Sequence, residues 1–571
     1  MQHVTRGGSR PLSFFKSVKP STLLLTIVVI FFFVLPVIRL FSLSFVDEGA
    51  VTLSNYSEML QEARTWRMLE NTAWMVLGST FVAVILGLFF AWLIAYSDIR
   101  GKGLMQLFIL IPFIIPSYIV TLSWTQLMGR NSFLADFLQF LPGDLEPVNL
   151  YSMGGMIFIL GLSHFPLVYL FTVSVLRKIP RDLEWAARSS GASPGKVFAK
   201  VTLPLALPGL AGGGLLAFIA NLDNFGIPAF LGIPAGIPVL STAIYQEVVG
   251  FGPGAFSRAA TLSVLLATVA LLGTAIQWLL VRKSKQLETV QQDYSPRFSF
   301  GKKRLGVEIM VWLFLITLTI VPVISMLMSS LIRAYGLPFA AENLTLSHYV
   351  FVLAENDRVQ GAILNSLMLA GVTTLVCLIV GTALAYVRTR KPTALNRTLE
   401  LFVALPYALP GMVLALAMIF MWLQPIPGWN PGIYGTITIL FIAYITRFMI
   451  LQVRGSITAM AQVDPSMEEA AHIFGARPFV KWRRILFPLL LPGMLSGAFL
   501  VFLTALTELT VSSLLWSSGS ETIGLVIFNF EQAGYSTYST AFSTVIVTAI
   551  LFTMLILYAL QKAWKKKVKE A

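Results

Sequence analysis

The sequence predicts an all-α membrane protein of about twelve spanning helices, set out as two parallel repeats of six. Three observations predict it: an apolar composition, a regular spacing of long apolar runs, and a set of short motifs that occur twice in the same order. Over 571 residues the hydrophobic content is 56%, the charged content 12% and the mean hydropathy +0.78. So much apolar surface does not fit inside a soluble core, and a bilayer has to cover the rest.

Runs long enough to cross a bilayer, about 20 residues each, lie near 21–45, 70–96, 104–128, 153–176, 204–231 and 258–281. A second set lies near 305–332, 362–387, 399–424, 434–453, 488–517 and 538–561. Ahead of the first run, Arg6, Arg10, Lys16 and Lys19 precede apolar sequence with no small-residue cleavage site, which reads as an uncleaved anchor. Between the sets, the polar stretch 282–304 has no apolar periodicity and reads as a tether, dividing the chain into halves at 1–290 and 291–571. The halves match beyond their spacing: LSNY at 53–56 with LSHY at 346–349, Asn71-Thr72 with Asn365-Ser366, and LFILIPFIIP at 107–116 with LFVALPYALP at 401–410. An even number of spans per half makes the repeat parallel, about an axis along the membrane normal.

The net charge of +14 follows membrane orientation and gives no basic domain for nucleic acid. About 33 of the 41 Lys and Arg lie at the two ends, in the linker and in the loops 97–103, 177–203, 388–398 and 454–487, which assigns those segments and both termini to the cytoplasm. Cys377 is the single cysteine and lies in an apolar run, so disulfide frameworks and thiolate clusters are excluded.

The strongest repeat falls in two of these loops. EWAARSSGASPGKVFAKVTLPLALPG at 184–209 aligns without a gap with EEAAHIFGARPFVKWRRILFPLLLPG at 468–493. Each copy reads as a short amphipathic helix, stopped by Gly191 or Gly475 and followed by a membrane helix. The small residues Ala186, Ala187, Ala470 and Ala471 allow a partner surface close to the backbone. The pattern resembles the EAA motif of permease subunits in binding-protein-dependent ABC importers, whose loop enters a groove on the cytoplasmic ATPase. Glu469, Ala470, Ala471, Gly475, Ile485 and Pro488 fall on its positions, with Phe487 in place of Leu. In the first copy Trp185 holds the Glu position and Glu184 stands beside it. The resemblance therefore implies ATPase coupling through Glu184, Ala186, Ala187, Gly191, Glu468, Glu469, Ala470, Ala471 and Gly475.

No nucleotide site is legible. The one lookalike, GASPGKV at 191–197, is a residue short of a P-loop and ends in Val where a hydroxyl would bind Mg²⁺. The chain itself is thus expected to bind no cofactor, with ATP and Mg on separate subunits. The four histidines, His3, His164, His348 and His472, share no metal-ligand spacing. A buried, hydrogen-bonded role suits His164, and a surface contact suits His472.

Charges within spans are more telling, because each costs roughly 2.5–3.5 kcal/mol near a bilayer centre and so faces a cavity or a partner. Asp223 and Glu508 both fall in the fifth span of their half, and Glu508 aligns with Asn224. Counting about 1.5 Å per residue from Pro204 and Pro488 puts the acids roughly 28–30 Å up, near the outer surface. Asp223, Asn224, Thr507 and Glu508 are therefore expected to line the outward end of a path or gate, or else to pair with Arg447 or Arg39. Gly209/Gly213 and Gly493/Gly497 suggest close helix packing at the centre of the pseudo-dimer. Pro112, Pro116, Pro406 and Pro410 suggest helices bent around a cavity.

Over nearly its whole length the chain looks like the fused permeases of ferric iron uptake, with thiamine and 2-aminoethylphosphonate permeases as relatives. The residues that carry this are the fusion itself, LDNFGIPAFLG at 222–232 and the acid in TEL at 507–509, where iron-type permeases often have Lys-Glu-Leu-Pro. The resemblance implies the type I importer permease fold and alternating access. It also implies two cytoplasmic ATPase subunits, an external substrate-binding protein and a place in a bacterial inner membrane, among its lipids. An ion-coupled secondary transporter is the rival, but it usually carries inverted repeats and midplane charges. A membrane enzyme finds no catalytic pair or cluster here.

Overall fold

The computed structural model describes residues 20–47, 50–139, 142, 145–250, 252, 254–281, 292–423 and 429–570. The N-terminal basic residues and 282–291 of the tether lie outside them, as do the side chains of the C-terminal basic run. Among the described residues ten long apolar helices stand in two sets of five: Leu23–Ser44, Ala63–Tyr96, Met153–Leu176, Pro194–Asp223 and Ala255–Ile276, then Gly301–Ser330, Asp357–Arg390, Ile437–Met460, Pro478–Leu506 and Ser536–Ile556. The third place in each half is held by a broken pair, Lys102–Ile114 with Ser117–Leu127 and Ala394–Ala408 with Gly411–Trp422, bent by 100° and 106°. A two-stranded ribbon, Val46–Asp47 with Ala50–Val51, follows the first helix.

Both breaks have one cause. Pro116 and Pro410 disfavour helical dihedrals in the residue before them. Ile115 and Leu409 accordingly take extended ψ values of 132° and 145°. Pro112 and Pro406, one turn earlier, stay inside their helices.

The repeated motifs earn a structural reading. The tyrosines of LSNY and LSHY reach back to the end of the preceding helix, Tyr56 to Ser44 at 2.7 Å and Tyr349 to Ser330 at 2.5 Å. Asn71 donates to the Pro238 carbonyl and Asn365 to that of Gly519, both at 2.9 Å, while Thr72 and Ser366 accept from the amides of Leu240 and Ile523. The second helix of each half thus holds the loop that follows the fifth.

Two expectations are corrected. The fifth spans do not run on to 231 and 517: the helices stop at Asp223 and Leu506. There a polar side chain takes over the amides that helix would have used. Asn224 accepts from Ile227 N at 2.9 Å, and Glu508 accepts from Val511 N at 2.8 Å and Ser512 N at 3.1 Å. The glycine pairs pack within their own halves, not at the centre of the pseudo-dimer. A Cβ on Gly213 would lie 2.7 Å from the Val168 Cα, and one on Gly497 would lie 2.8 Å from Gln452 Oε1.

Finally, the halves interlock. The first helix of each is seated on the other half: Phe31 meets the Trp422 ring edge-on at 5.8 Å, and Arg39 Nη1 donates to the Met421 carbonyl at 3.2 Å. Reciprocally, Trp312 of the helix Arg304–Ser330 meets Phe108 at 5.3 Å, and Met326 accepts from Ser123 Oγ.

Candidate functional site: two docking helices and a central cavity

The predicted loop helices are Arg181–Ser189 and Pro465–Ile473. Each ends in the same hydrogen-bonded cap. In the first, Gly191 N donates to Arg188 O and Ala192 N to Ala187 O; in the second, Gly475 N donates to His472 O and Ala476 N to Ala471 O. Gly191 and Gly475 take φ of +84° and +74°, a conformation that β-carbons oppose. Each outer face carries exposed apolar side chains among polar ones, Leu183 and Trp185 on the first and, more than four-fifths exposed, Ile473 and Phe474 at the end of the second. His472 is exposed among them.

The glutamates divide by facing. Glu469 and its counterpart Trp185 point outward, whereas Glu184 is 4% exposed and Glu468 is turned inward beside it in helical phase. Glu184 and Glu468, both named for coupling, anchor their helix from beneath. Glu468 accepts from Arg390 Nε at 2.6 Å, Lys481 Nζ at 2.8 Å and Tyr386 Oη at 3.0 Å. Burial pushes its carboxyl up, yet the hydrogen bonds from Lys481, Arg390 and Tyr386 outweigh that and hold it below the ordinary value. Glu184 accepts from Thr202 Oγ1 at 2.6 Å and pairs with Arg297 Nη1 at 3.0 Å.

The other candidate residues meet at a cavity of about 560 Å³, where the breaks of both third spans face the ends of both fifth helices. Asp223, Asn224, Thr507 and Glu508 all line it, together with Ser117, Tyr118, His164, Tyr407 and Arg447. Of the two cations weighed for these acids, Arg447 is the partner. Its Nη2 lies 2.6 Å from Asp223 Oδ2, while the other carboxylate oxygen accepts from Gly411 N, the first residue after the break at Pro410. Asp223 comes from one half, and Arg447 and Gly411 from the other, so this polar node ties the seam. Asn224 makes the corresponding contact within its own half, donating to Ser117 Oγ at 2.8 Å. Thr507 Oγ1 donates to Leu503 O, and Glu508 is 8% exposed, spending its oxygens on the amides of Val511 and Ser512. His164 is buried as expected, its Nδ1 within 2.6 Å of Asn221 Oδ1, and it borders the cavity as well.

The depth differs from the count of residues. Asp223 touches the eleventh residue of the 24-residue helix Ile437–Met460, about 15 Å along it, so the node faces that helix's middle.

On the docking-loop side, the cavity follows one face of the helix Phe487–Leu506 through Ser496, Phe499, Leu500, Leu503 and Thr504 to Thr507. That face is about 16 Å long. Beyond the node, buried rings from both halves close together: Phe225 and Phe230 each stand 5.7 Å from Phe528, and Tyr118 stacks on Phe230 at 6.4 Å. Sequence reasoning missed Tyr118, Gly411 and Arg297. Of these, Gly411 had a signal, since it follows the Pro that aligns with Pro116.

Comparison with known proteins agrees with this geometry. The family model "Binding-protein-dependent transport system inner membrane component" matches twice, over residues 83–286 and 378–570. The ferric transport system permease protein FbpB of Actinobacillus pleuropneumoniae is 24% identical over 538 residues, covering 93% of this chain and 77% of the relative. The Fe(3+)-transport system permease protein FbpB 2 of Haemophilus influenzae is 26% identical over 518 residues, 90% of this chain and 93% of the relative. The molybdenum transport system permease protein ModB of Escherichia coli is 31% identical over 202 residues, 86% of its own length but 35% of this chain, so a whole smaller permease corresponds to about one half. The chain belongs to the family of binding-protein-dependent transport system inner membrane components, with the family's unit present twice in one polypeptide.

Proposed function

We propose that this permease carries ferric iron, released by an external binding protein, into the cytoplasm, driven by two separate ATPase subunits seated on Arg181–Ser189 and Pro465–Ile473. The observation that carries the reading is full-length likeness, through both halves and the joint between them, to relatives named for ferric transport. The site offers hard oxygen atoms along one cavity, the hydroxyls of Ser117, Tyr407 and Thr507 and the partly exposed carboxylate of Asp223, which suit brief contact with a hard cation in passage. The cavity runs toward the docking loops and is shut by aromatic rings on the far side, an inward-facing arrangement. Both termini then lie in the cytoplasm. ATP binding that favours the docking helices drawn together would reverse the arrangement, provided it binds one state better than the other. Residues of this chain hydrolyse nothing; they position, seal and release.

A second reading, a small anion as cargo, is favoured by Arg447, whose Nε and Nη1 are buried without a hydrogen-bond partner among the described residues. Proteoliposomes holding the permease with its ATPases and binding protein decide between them. Uptake of radioactive ferric iron that needs ATP supports the first reading; ATP-dependent molybdate uptake without iron uptake supports the second. Solute movement by the chain alone would overturn both in favour of ion coupling.

A further inference from the structure

The segment joining the halves does more than tether them. In the second half, the docking helix is anchored by a guanidinium from the last residue of the second span: Arg390 Nε donates to Glu468, and its Nη2 donates to the Val463 carbonyl at 3.1 Å. Tyr96, which carries no charge, holds the aligned place in the first half, at the spacing that pairs Asn71 with Asn365. The guanidinium against Glu184 comes instead from Arg297, in the joining segment. Its Nη1 lies 3.0 Å from Glu184 Oε1 and its Nη2 donates to the carbonyl of Ile179, the residue aligned with Val463. The side chains of Arg297 and Glu184 are each 5% exposed. Arg297 also lies over the Tyr96 ring at 4.2 Å, and its amide donates to Tyr96 O at 2.7 Å. Two flanking contacts hold the strap in place: Asp293 N donates to Arg177 O at 2.8 Å, and Phe300 N to Asp98 Oδ1 at 3.1 Å.

We propose that Arg297 is a positioning residue for the first docking helix, supplying from outside the half the anchor that Arg390 supplies from within the second. The arrangement makes the fusion of the halves part of the coupling apparatus. Since the segment leads directly into Arg304–Ser330, which packs on the first half's broken span, the first docking helix is fastened to an element of the other half as well as to its own. A planar, always-charged guanidinium suits the task, because it serves a carboxylate and a carbonyl at once.

The inference rests on reading Arg181–Ser189 as a docking helix, and its test needs no ATPase, so the two fail separately. Cys377 is buried, which leaves introduced cysteines free to take nitroxide labels. Labels at Ser189 and Leu104 report on the first docking helix, and labels at His472 and Leu401 on the second, in the full chain in lipid nanodiscs. Arg297→Ala should widen the 189–104 distance distribution and leave 472–401 narrow, and Arg390→Ala should do the reverse. Glu184→Gln keeps the side-chain volume and the Thr202 contact; it should widen the first distribution alone, with the double variant no wider than either single one. In the assembled transporter, Arg297→Ala should lower solute moved per ATP by about fivefold or more while ATP hydrolysis continues. An unchanged 189–104 distribution in both Arg297→Ala and Glu184→Gln overturns the proposal. So does equal widening at both docking helices, which marks a general loss of structure.

Discussion

Truncating Asp223 to Ala tests whether the polar node holds the two halves together. The change removes the 2.6 Å contact with Arg447 and the acceptor for Gly411 N, leaving a guanidinium that is 7% exposed with no bonded counter-charge. Breaking a buried pair by removing one partner costs about 3–5 kcal/mol. Asp223 is 29% exposed to the cavity, and that screening argues for the lower side, about 2–3 kcal/mol. Arg447→Met strands Asp223 instead, where cavity water solvates it, for about 1–2 kcal/mol. The double variant removes both members of the Asp223–Arg447 pair and should be about as stable as Asp223→Ala alone, giving a coupling energy of about 2 kcal/mol. Equilibrium unfolding of the purified chain in mixed micelles measures the four corners of the cycle. If the single effects add to within about 0.5 kcal/mol, the pair does not bind the halves and the account of the seam is wrong.

Other outcomes follow from neighbouring features. Gly213→Ala should destabilise by about 1–3 kcal/mol, because its Cβ meets backbone at Val168, whereas Gly212→Ala, whose nearest neighbour is a Phe171 ring atom at 3.6 Å, should be neutral or slightly stabilising in the same unfolding assay. Phe528→Ala should loosen the aromatic closure, read as faster labelling of a cysteine placed at Thr507 by a reagent confined to the external side. Phe474→Asp, at a side chain 89% exposed, should weaken ATPase capture about tenfold or more in a pull-down while leaving the chain's own stability within about 0.5 kcal/mol. For Glu468, held below its ordinary carboxylate value of 4.5, the anchoring contribution is fully present above that value and is lost as pH falls through the lower folded one. The 472–401 distance distribution should therefore stay narrow at pH 4.5 and widen only below it.

Much of this molecule is legible before any coordinate is known. Apolar runs of the right length mark the spans, and the repeated Tyr and Asn-Thr/Ser motifs mark positions that make the same hydrogen bonds in both halves. The Gly at each docking-helix end follows from a positive φ that only a capped helix requires. The breaks at Asn224 and Thr507 are hidden, since apolar residues continue on either side and only a single side chain, Asn224 accepting one amide or Glu508 accepting two, ends the helix. Glu468 and Glu469 illustrate another blind spot. Adjacent residues on a helix point about 100° apart, so a motif match can name the right pair while leaving open which one faces in. Which half a helix packs on is unreadable too, because periodicity reports that a face is buried and not what buries it.

The reciprocal seating of the two leading helices has a consequence for how the protein is made. Leu23–Ser44 is made well before Gly411–Trp422, the helix of the other half on which it packs. During that interval lipid must shelter this face, while Ala255–Val281 of its own half can already pack beside the helix. Arg304–Ser330, by contrast, emerges when its berth on Ser117–Leu127 is already built. Assembly is thus lopsided in time although the finished halves look alike, and a product stalled before Gly411–Trp422 would leave Leu23–Ser44 without its partner from the second half.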